Sequence, residues 1–218
     1  MIRYISIAAL LVTISFPATS AEIGLGVDLG GSSYLSMPIR TARYIIEPFV
    51  FHESTDDEEP LYSTHNLYRY AYSNSSDVSS LGVGIYKHDS FTGKILFNYG
   101  LNFGYSRKKV TSVNEYHRVI DQYNDYEYLD RRSHNLEGDG FFIAPRLGFE
   151  YKAHDKIYLG IGAVITYKKM ELKGSNDKYE YSYNSSLGGY EEKYSSIETS
   201  TDDSSVHTGM FVMARIYL

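Results

Sequence analysis

The chain lacks cysteine and tryptophan and has fewer basic than acidic residues. Without cysteine there is no disulfide framework, no cysteine-ligated zinc site and no thiol nucleophile. The net charge of −6, from 21 basic and 27 acidic residues, gives no general attraction for nucleic acid. A mean hydropathy of −0.32 argues against a bundle of membrane-spanning helices, because each such helix needs a run of ~20 apolar residues.

Tyrosine and glycine are abundant, with 23 and 18 copies in 218 residues. A hydrophobic content of 43% is too high for a disordered chain. Beyond residue 21, no apolar stripe with the helical period of 3.6 residues is found, and tyrosine favours strands. The composition therefore predicts one folded domain rich in β-structure.

The N-terminal segment 1–21 has the features of a secretory signal peptide. Arg3 supplies the positive charge, Ile5 to Ile14 is a short apolar core, and the segment ends in small residues at Ala21. The core is too short for a permanent membrane helix. The alternative is a buried N-terminal helix. We predict that 1–21 is a signal peptide and that 22–218 is the exported domain, which is folded without disulfide bonds.

Most of the exported domain alternates between apolar and small or polar residues with a period of two, as half-buried strands do. In 94–106, one face carries only aliphatic and aromatic side chains, and the other is mostly glycine, asparagine and serine. Eight segments share this pattern and are predicted as strands: 22–30, 33–40, 43–53, 78–87, 94–106, 140–152, 157–170 and 206–218.

The connections between these predicted strands alternate in length, except that 31–32 is short where a long loop is expected. The short ones are 41–42, 88–93 and 153–156, and the long polar ones are 54–77, 107–139 and 171–205. Outer-membrane barrels have short turns on one rim and long loops on the other. The sequence thus predicts an all-β fold, an eight-stranded antiparallel transmembrane β-barrel with long extracellular loops. The alternative is a soluble lipocalin-type barrel, which would expose the glycine-rich face to water.

Charged residues recur on the face predicted to point into the barrel. Because charges in a closed lumen must be paired or hydrated, we expect them to form a salt-bridge network that fills an eight-stranded barrel. Its members are Asp28, Glu47, Arg146, Glu150 and Arg215. The alternative is a gated ion or proton path through the last four of these residues.

The order of the alternating segments resembles the small outer-membrane β-barrel family of the OmpX/OmpA type. The resemblance covers essentially all of 22–218 and is carried by 37–39, 46–49, 81–86, 98–105, 143–151 and 213–218. It implies export through the periplasm and insertion by the barrel assembly machinery into the outer membrane of a Gram-negative bacterium. The family fixes a fold, but its members differ in function. The chain ends in Leu218 after Tyr217, one position away from the usual terminal aromatic residue.

Two short segments combine histidine and serine and so raise the alternative of a lipid A-modifying enzyme. They are His52-Glu53-Ser54 and Ser204-Ser205-Val206-His207. Such pairs are common by chance in serine-rich segments, and no oxyanion donor can be identified from the sequence. We therefore predict no catalytic residue, no metal ligand, no cofactor and no enzymatic activity.

The predicted long loops hold most of the tyrosine-rich composition, together with serine and asparagine. This is the chemistry of adaptable recognition surfaces, so an extracellular ligand is expected there, with shielding of the rim as the alternative. Strands 94–106 and 157–170 are candidates to continue above the membrane as a hairpin-rich β extension, because Tyr, Lys and Glu alternate in their flanks. Arg107, Lys108 and Lys109 are candidates for contact with lipopolysaccharide phosphates. The predicted protein is a monomer in outer-membrane lipid with a structural or surface-interaction role. A narrow pore is a further alternative.

Overall fold

The computed structural model describes residues 21–30, 33–63, 68–119, 126–184 and 186–218, and these are almost entirely β-strand. The predicted signal peptide lies outside the described residues except for Ala21. The strands are β1 (Glu22–Gly30), β2 (Tyr34–Ser36), β3 (Ile39–Arg40), β4 (Tyr44–Ser63), β5 (Tyr68–Thr92), β6 (Ile95–Val119), β7 (Tyr126–His154), β8 (Ile157–Asn184) and β9 (Gly189–Tyr217). No helix in these ranges is long and apolar enough to cross a bilayer.

The strands form one antiparallel sheet that closes on itself, because β1 pairs with β9. β2 and β3 together occupy one position between β1 and β4. Between them lies the buried Pro38, which has no N–H to give to the ladder. The pairing nevertheless continues there, since Gly24 N donates to Pro38 O at 2.8 Å and Met37 N donates to Pro48 O at 2.9 Å. The ring therefore has eight strand positions, which confirms the predicted fold class.

The outward face of the ring carries a belt of exposed apolar side chains, here called the apolar band. β8 shows the pattern clearly, with Leu159, Ile161 and Ile165 exposed and Tyr158 and Gly160 buried. The band also includes Leu25, Val27, Leu29, Val50, Phe103, Ile143, Leu147, Phe149, Val212 and Ile216. A continuous apolar surface around a closed barrel is favourable in contact with lipid and unfavourable in contact with water.

The segments predicted as long polar loops are mostly strands, so the predicted loop boundaries were wrong. The expectation that strands 94–106 and 157–170 continue above the membrane as a β extension is confirmed by β6 and β8. β7 pairs with β8 from His154 up to Tyr128, and β8 pairs with β9 from Ile157 up to Asn184. Only short connections remain at the far ends. The tip of the last hairpin turns at Gly188, whose φ of 63° suits glycine. Ladder hydrogen bonds between these tall hairpins satisfy the backbone N–H and C=O groups of the polar segments.

Above the apolar band, the sheet is open. Within the described ranges, β1 pairs with β9 up to Phe211, and β2 pairs with β4 up to Phe51. β4–β9 continue beyond these points as a six-stranded protruding sheet, made of residues 52–63, 68–80, 106–119, 126–140, 168–184 and 189–210. Among the described residues, its two outer edges, on β4 and β9, pair with no further strand.

The barrel interior is filled with side chains. Tyr86, Phe142, Phe211 and Met213 are buried there on the inward face. A glycine often stands beside a large ring: a Cβ on Gly82 would lie 2.7 Å from Phe49 Cζ and 2.6 Å from Phe103 O. The inward glycines thus make room for aromatic rings in a lumen that is only wide enough for side chains.

Candidate functional site

The buried charges in the lumen form two ion-paired groups. In the first, Arg215 donates through Nε to Glu47 Oε1 at 3.0 Å and through Nη2 to Glu47 Oε2 at 2.5 Å. Arg215 Nη1 also donates to Glu150, and Ser36 Oγ donates to Glu47 Oε1 at 2.7 Å. Glu47 is 2% exposed. One guanidinium therefore binds two carboxylates inside the barrel.

The second group joins Arg146 on β7 to Asp28 on β1. Arg146 Nη2 lies 2.6 Å from Asp28 Oδ2, and Nη1 donates to the hydroxyl of Tyr34. The guanidinium carbon lies 3.4 Å from the centre of the Phe211 ring, a cation–π contact. All five charged residues expected inside the barrel are thus brought together in ion-paired groups.

The two ion-paired groups join three carboxylates to two guanidiniums, and a third guanidinium, that of Arg40, lies over the rings of the buried Tyr158 and Tyr217. Glu150 is fully buried, and its Oε2 has no hydrogen-bond partner among the described atoms. Around this network the aromatic rings of Tyr86 and Phe211 occupy the cross-section. The arrangement ties the strands together across the lumen, and no continuous passage is needed to explain it.

The three basic residues Arg107, Lys108 and Lys109 do not share a face. Arg107 points outward above the apolar band and pairs with Glu137, and Lys109 is likewise exposed on the outward side. Lys108 points to the inward side of the sheet, where Nζ lies 3.0 Å from Asp203 Oδ2. The alternation of side chains along β6 therefore removes Lys108 from the predicted lipid-phosphate contact.

Of the two histidine–serine segments, the first contains a histidine, His52, that contacts a serine hydroxyl. This serine is Ser79 and not Ser54 of the same segment. His52 Nδ1 lies 3.0 Å from Ser79 Oγ on the neighbouring strand β5. Ser54 is two residues along β4 and is not the partner. The register His52↔Ser79 creates this pair, and no sequence spacing between residues 27 apart could have found it. No carboxylate that orients the imidazole is hydrogen-bonded to His52 among the described contacts.

Metal binding finds no support in the described ranges, where no three His, Asp or Glu side chains are grouped to bind an ion. The most distinctive surface is instead the protruding sheet. Its inward face holds an apolar cluster of Leu136, Met170 and Leu172, with Val110 packed against it. This cluster gives the sheet a small core of its own above the apolar band.

Tyrosines crowd the outward face at the tip of the β8–β9 hairpin. The rings of Tyr181 and Tyr190 are stacked with centres 4.8 Å apart, and Tyr183 meets Tyr190 edge-on at 5.3 Å. Tyr179 pairs with Tyr194 in the ladder, and Tyr194 is 70% exposed. Exposed aromatic side chains of this kind are typical of recognition surfaces, because amphipathic rings bind partners at little cost in side-chain entropy.

An eight-stranded antiparallel ring with an outward apolar band and a filled lumen has the architecture of a transmembrane β-barrel. Comparison of the chain with protein-family models and with curated proteins finds no match. Comparison with solved structures finds similar barrels at low sequence identity. A major outer membrane protein from Thermus thermophilus gives a TM-score of 0.45 at 10% identity, covering 91% of this chain and all of that chain.

Two further solved structures are similar over about the same share of the chain. Ail, the attachment invasion locus protein of Yersinia pestis, gives a TM-score of 0.36 at 11% identity and covers 91% of this chain and 95% of that chain. CarO from Acinetobacter baumannii gives 0.30 at 12% identity, covering 90% and 98%. With TM-scores of at most 0.45 and identities of 10–12%, these similarities carry no conclusion about this chain.

Proposed function

We propose that this chain is an integral outer-membrane β-barrel protein with a non-enzymatic role in surface interaction, of the OmpX/OmpA type. The observation that carries this proposal is the protruding sheet. Six strands continue well past the apolar band and place a tyrosine-rich, open-edged surface away from the lipid. A role confined to filling the membrane would not need strands of 25 to 29 residues, when ~9–11 residues cross the bilayer.

In this proposal the barrel anchors the protruding sheet, and outward basic residues at the base of the sheet fix its position relative to the lipid surface. Arg107 and Lys109 stand directly above the apolar band, where charge-assisted contacts to lipopolysaccharide phosphates would form. In this proposal the protein works as a monomer after insertion by the barrel assembly machinery, with the protruding sheet outside the cell.

Shortening the β8–β9 hairpin tests the role in surface interaction. Residues 171–202 are replaced by Asn-Gly, which joins Met170 to its ladder partner Asp203 through a two-residue turn. Cells displaying the full or the shortened protein are compared on arrays of immobilised peptides and polysaccharides. We expect the full protein to bind at least one class of array feature and the shortened protein to lose it, at equal amounts in the membrane. Identical binding by both would overturn the proposal.

The contact between His52 and Ser79 favours a lipid A-modifying enzyme as the second candidate, because a base and a hydroxyl lie together at the upper edge of the apolar band. Lipid A mass spectrometry decides between the candidates. Cells with the wild-type protein are compared with cells carrying Ser79→Ala and with cells lacking the protein. A lipid A species that depends on Ser79 would establish the enzyme, and an unchanged profile supports the interaction role.

A further inference from the structure

The outer edge of β9 is a long row of backbone groups beside which the described part of the chain places no strand. Tyr217 N donates to Lys156 O on the β8 side, whereas Leu218 N donates to Ile23 O on the β1 side. Backbone directions alternate along a strand, and the β8–β9 register is unbroken, so the even-numbered residues of β9 direct their N–H and C=O groups away from β8. Above Phe211, where β1 no longer pairs with β9, these groups line the free edge.

The same even-numbered residues carry their side chains on the outward face. The exposed side chains in this row include two tyrosines and three acids: Tyr190, Glu192, Tyr194, Glu198 and Asp202. Serine or threonine fills the positions between and below them, with Val206 the exception, and the row from 190 to 208 has no basic residue. On β8, Tyr179, Tyr181 and Tyr183 extend the aromatic surface beside the row. The row is therefore aromatic and anionic.

A free strand edge is recognised by another extended backbone, which adds to the sheet as a further strand. The side chains of the added strand would lie ~4.5–5.5 Å from the row on β9, where like charges repel and opposite charges attract. A second copy using the same edge would lay one acidic row without basic residues alongside another. An anionic chain is disfavoured for the same reason.

We propose that the free edge of β9 binds an extended polypeptide segment with lysine or arginine at alternate positions. Its backbone continues the hydrogen-bond ladder, its basic side chains on one face meet Glu192, Glu198 and Asp202, and the tyrosines add cation–π contacts. This inference deepens the proposed surface-interaction role and rests on it, since it names the chemistry of the partner.

Synthetic peptides of about ten residues, which span ~33 Å of strand, test the proposal on the full-length protein in nanodiscs. One peptide alternates lysine and threonine. A second has the same residues in two blocks, and a third alternates glutamate and threonine. Fluorescence anisotropy measures binding. We expect the alternating lysine peptide to bind at least about tenfold more tightly than the block peptide, because only alternation places every lysine beside the acidic row.

Charge removal identifies the face that binds. The triple variant Glu192→Gln, Glu198→Gln, Asp202→Asn should weaken binding of the alternating lysine peptide by about tenfold. The matched control removes three outward acids on β4, β5 and β7, through Glu58→Gln, Asp77→Asn and Asp139→Asn. The control should leave binding within about twofold of the wild type, since these acids lie away from the β9 edge.

Blocking the backbone separates strand addition from simple charge attraction. Ser200→Pro removes one N–H from the free edge, where proline is tolerated, and leaves the ladder to β8 intact. It should weaken the alternating lysine peptide about tenfold, whereas Ser200→Ala should not. Circular dichroism of each variant checks that the barrel has folded.

Three results would overturn the proposal. Equal binding of the alternating and block peptides, or equal effects of the two triple variants, would mean that charge alone attracts the peptide. A dimer in analytical ultracentrifugation that Ser200→Pro abolishes would assign the edge to a second copy. If no peptide binds while hairpin shortening still removes attachment, the proposed function stands and this partner chemistry is wrong.

Discussion

Arg215 is the central residue of the ion-paired network inside the barrel. It is buried, it contacts carboxylates from β4 and β7, and Tyr217, two residues along the same strand, is also buried. A guanidinium matches two carboxylates well because its donors are fixed in a plane. The sequence predicted that Arg215 points inward, because it alternates along its strand with the apolar residues predicted to face lipid.

Replacing Arg215 by methionine should destabilise the barrel by about 3–5 kcal/mol, because Glu47 and Glu150 would remain buried without a counter-charge. Equilibrium unfolding in urea, with the protein folded in lipid vesicles, measures this loss. Arg107→Met is the matched control: its pair with Glu137 is exposed, so the cost should stay below about 1 kcal/mol. Equal costs for the two variants would show that the buried network contributes little.

The partner of each lumen charge was not predictable from the sequence. Arg215 and Glu47 are 168 residues apart in the chain, and their contact depends on how the strands stagger when the ring closes. The same limit applies to Ser79, which reaches His52 through the register of β4 and β5. Alternation specifies the face of a residue, whereas register and closure specify its neighbour.

At the scale of the elements, the main difference between sequence and structure lies in the length of the strands. Alternation of apolar and polar residues is visible only where one face meets lipid, so it fades above the apolar band, where water wets most of both faces. The predicted loops 54–77, 107–139 and 171–205 fall in that region. A usable signal was present in the β8–β9 hairpin, where Leu187-Gly188-Gly189 supplies a turn between two tyrosine-rich segments.

The upper part of β7 should respond to acid through Asp130. Arg132 donates two hydrogen bonds to this carboxylate and lowers its pKa below the ordinary value of 3.8, although burial acts in the opposite direction. The folded state therefore holds its proton less readily than the unfolded state. The stability from this contact is present above about pH 4 and is lost as the pH falls through the lowered pKa.

Amide exchange around residues 128–132, referenced to unfolded peptides at each pH, checks this expectation between pH 5 and pH 3. Wild-type protection should fall over that range, and Asp130→Asn should show a smaller change. Asp139→Asn, an exposed acid on the other face of the same strand, serves as the control and should behave as the wild type. A wild-type pH response in Asp130→Asn would assign the effect to other carboxylates.

At the scale of the whole molecule, the described chain combines a closed, filled ring with an open sheet. The lumen side chains that fill the ring include Tyr86, Phe142, Phe211 and Met213 together with the two arginines. Eight strands leave space for side chains and little more. The pore alternative therefore requires these side chains to move together.

We expect the wild-type protein to leave the conductance of a planar lipid bilayer at the level of protein-free lipid. Phe211→Ala, which removes the ring stacked on Arg146, should increase ion leakage, whereas Phe149→Ala on the lipid-facing side should not. Folding of both variants is checked by circular dichroism. Stable single-channel openings in the wild type would establish a pore instead.

The unbroken ladder between β8 and β9 has a mechanical consequence. The two strands pair without a register shift from Ile157, at the lower edge of the apolar band, to Asn184 at the tip. A partner held at the tip and pulled away from the cell would load these hydrogen bonds in shear, all at once and parallel to the strands. Such a hairpin resists extension without a hinge, so the membrane anchor and the contact surface move as one stiff unit under flow.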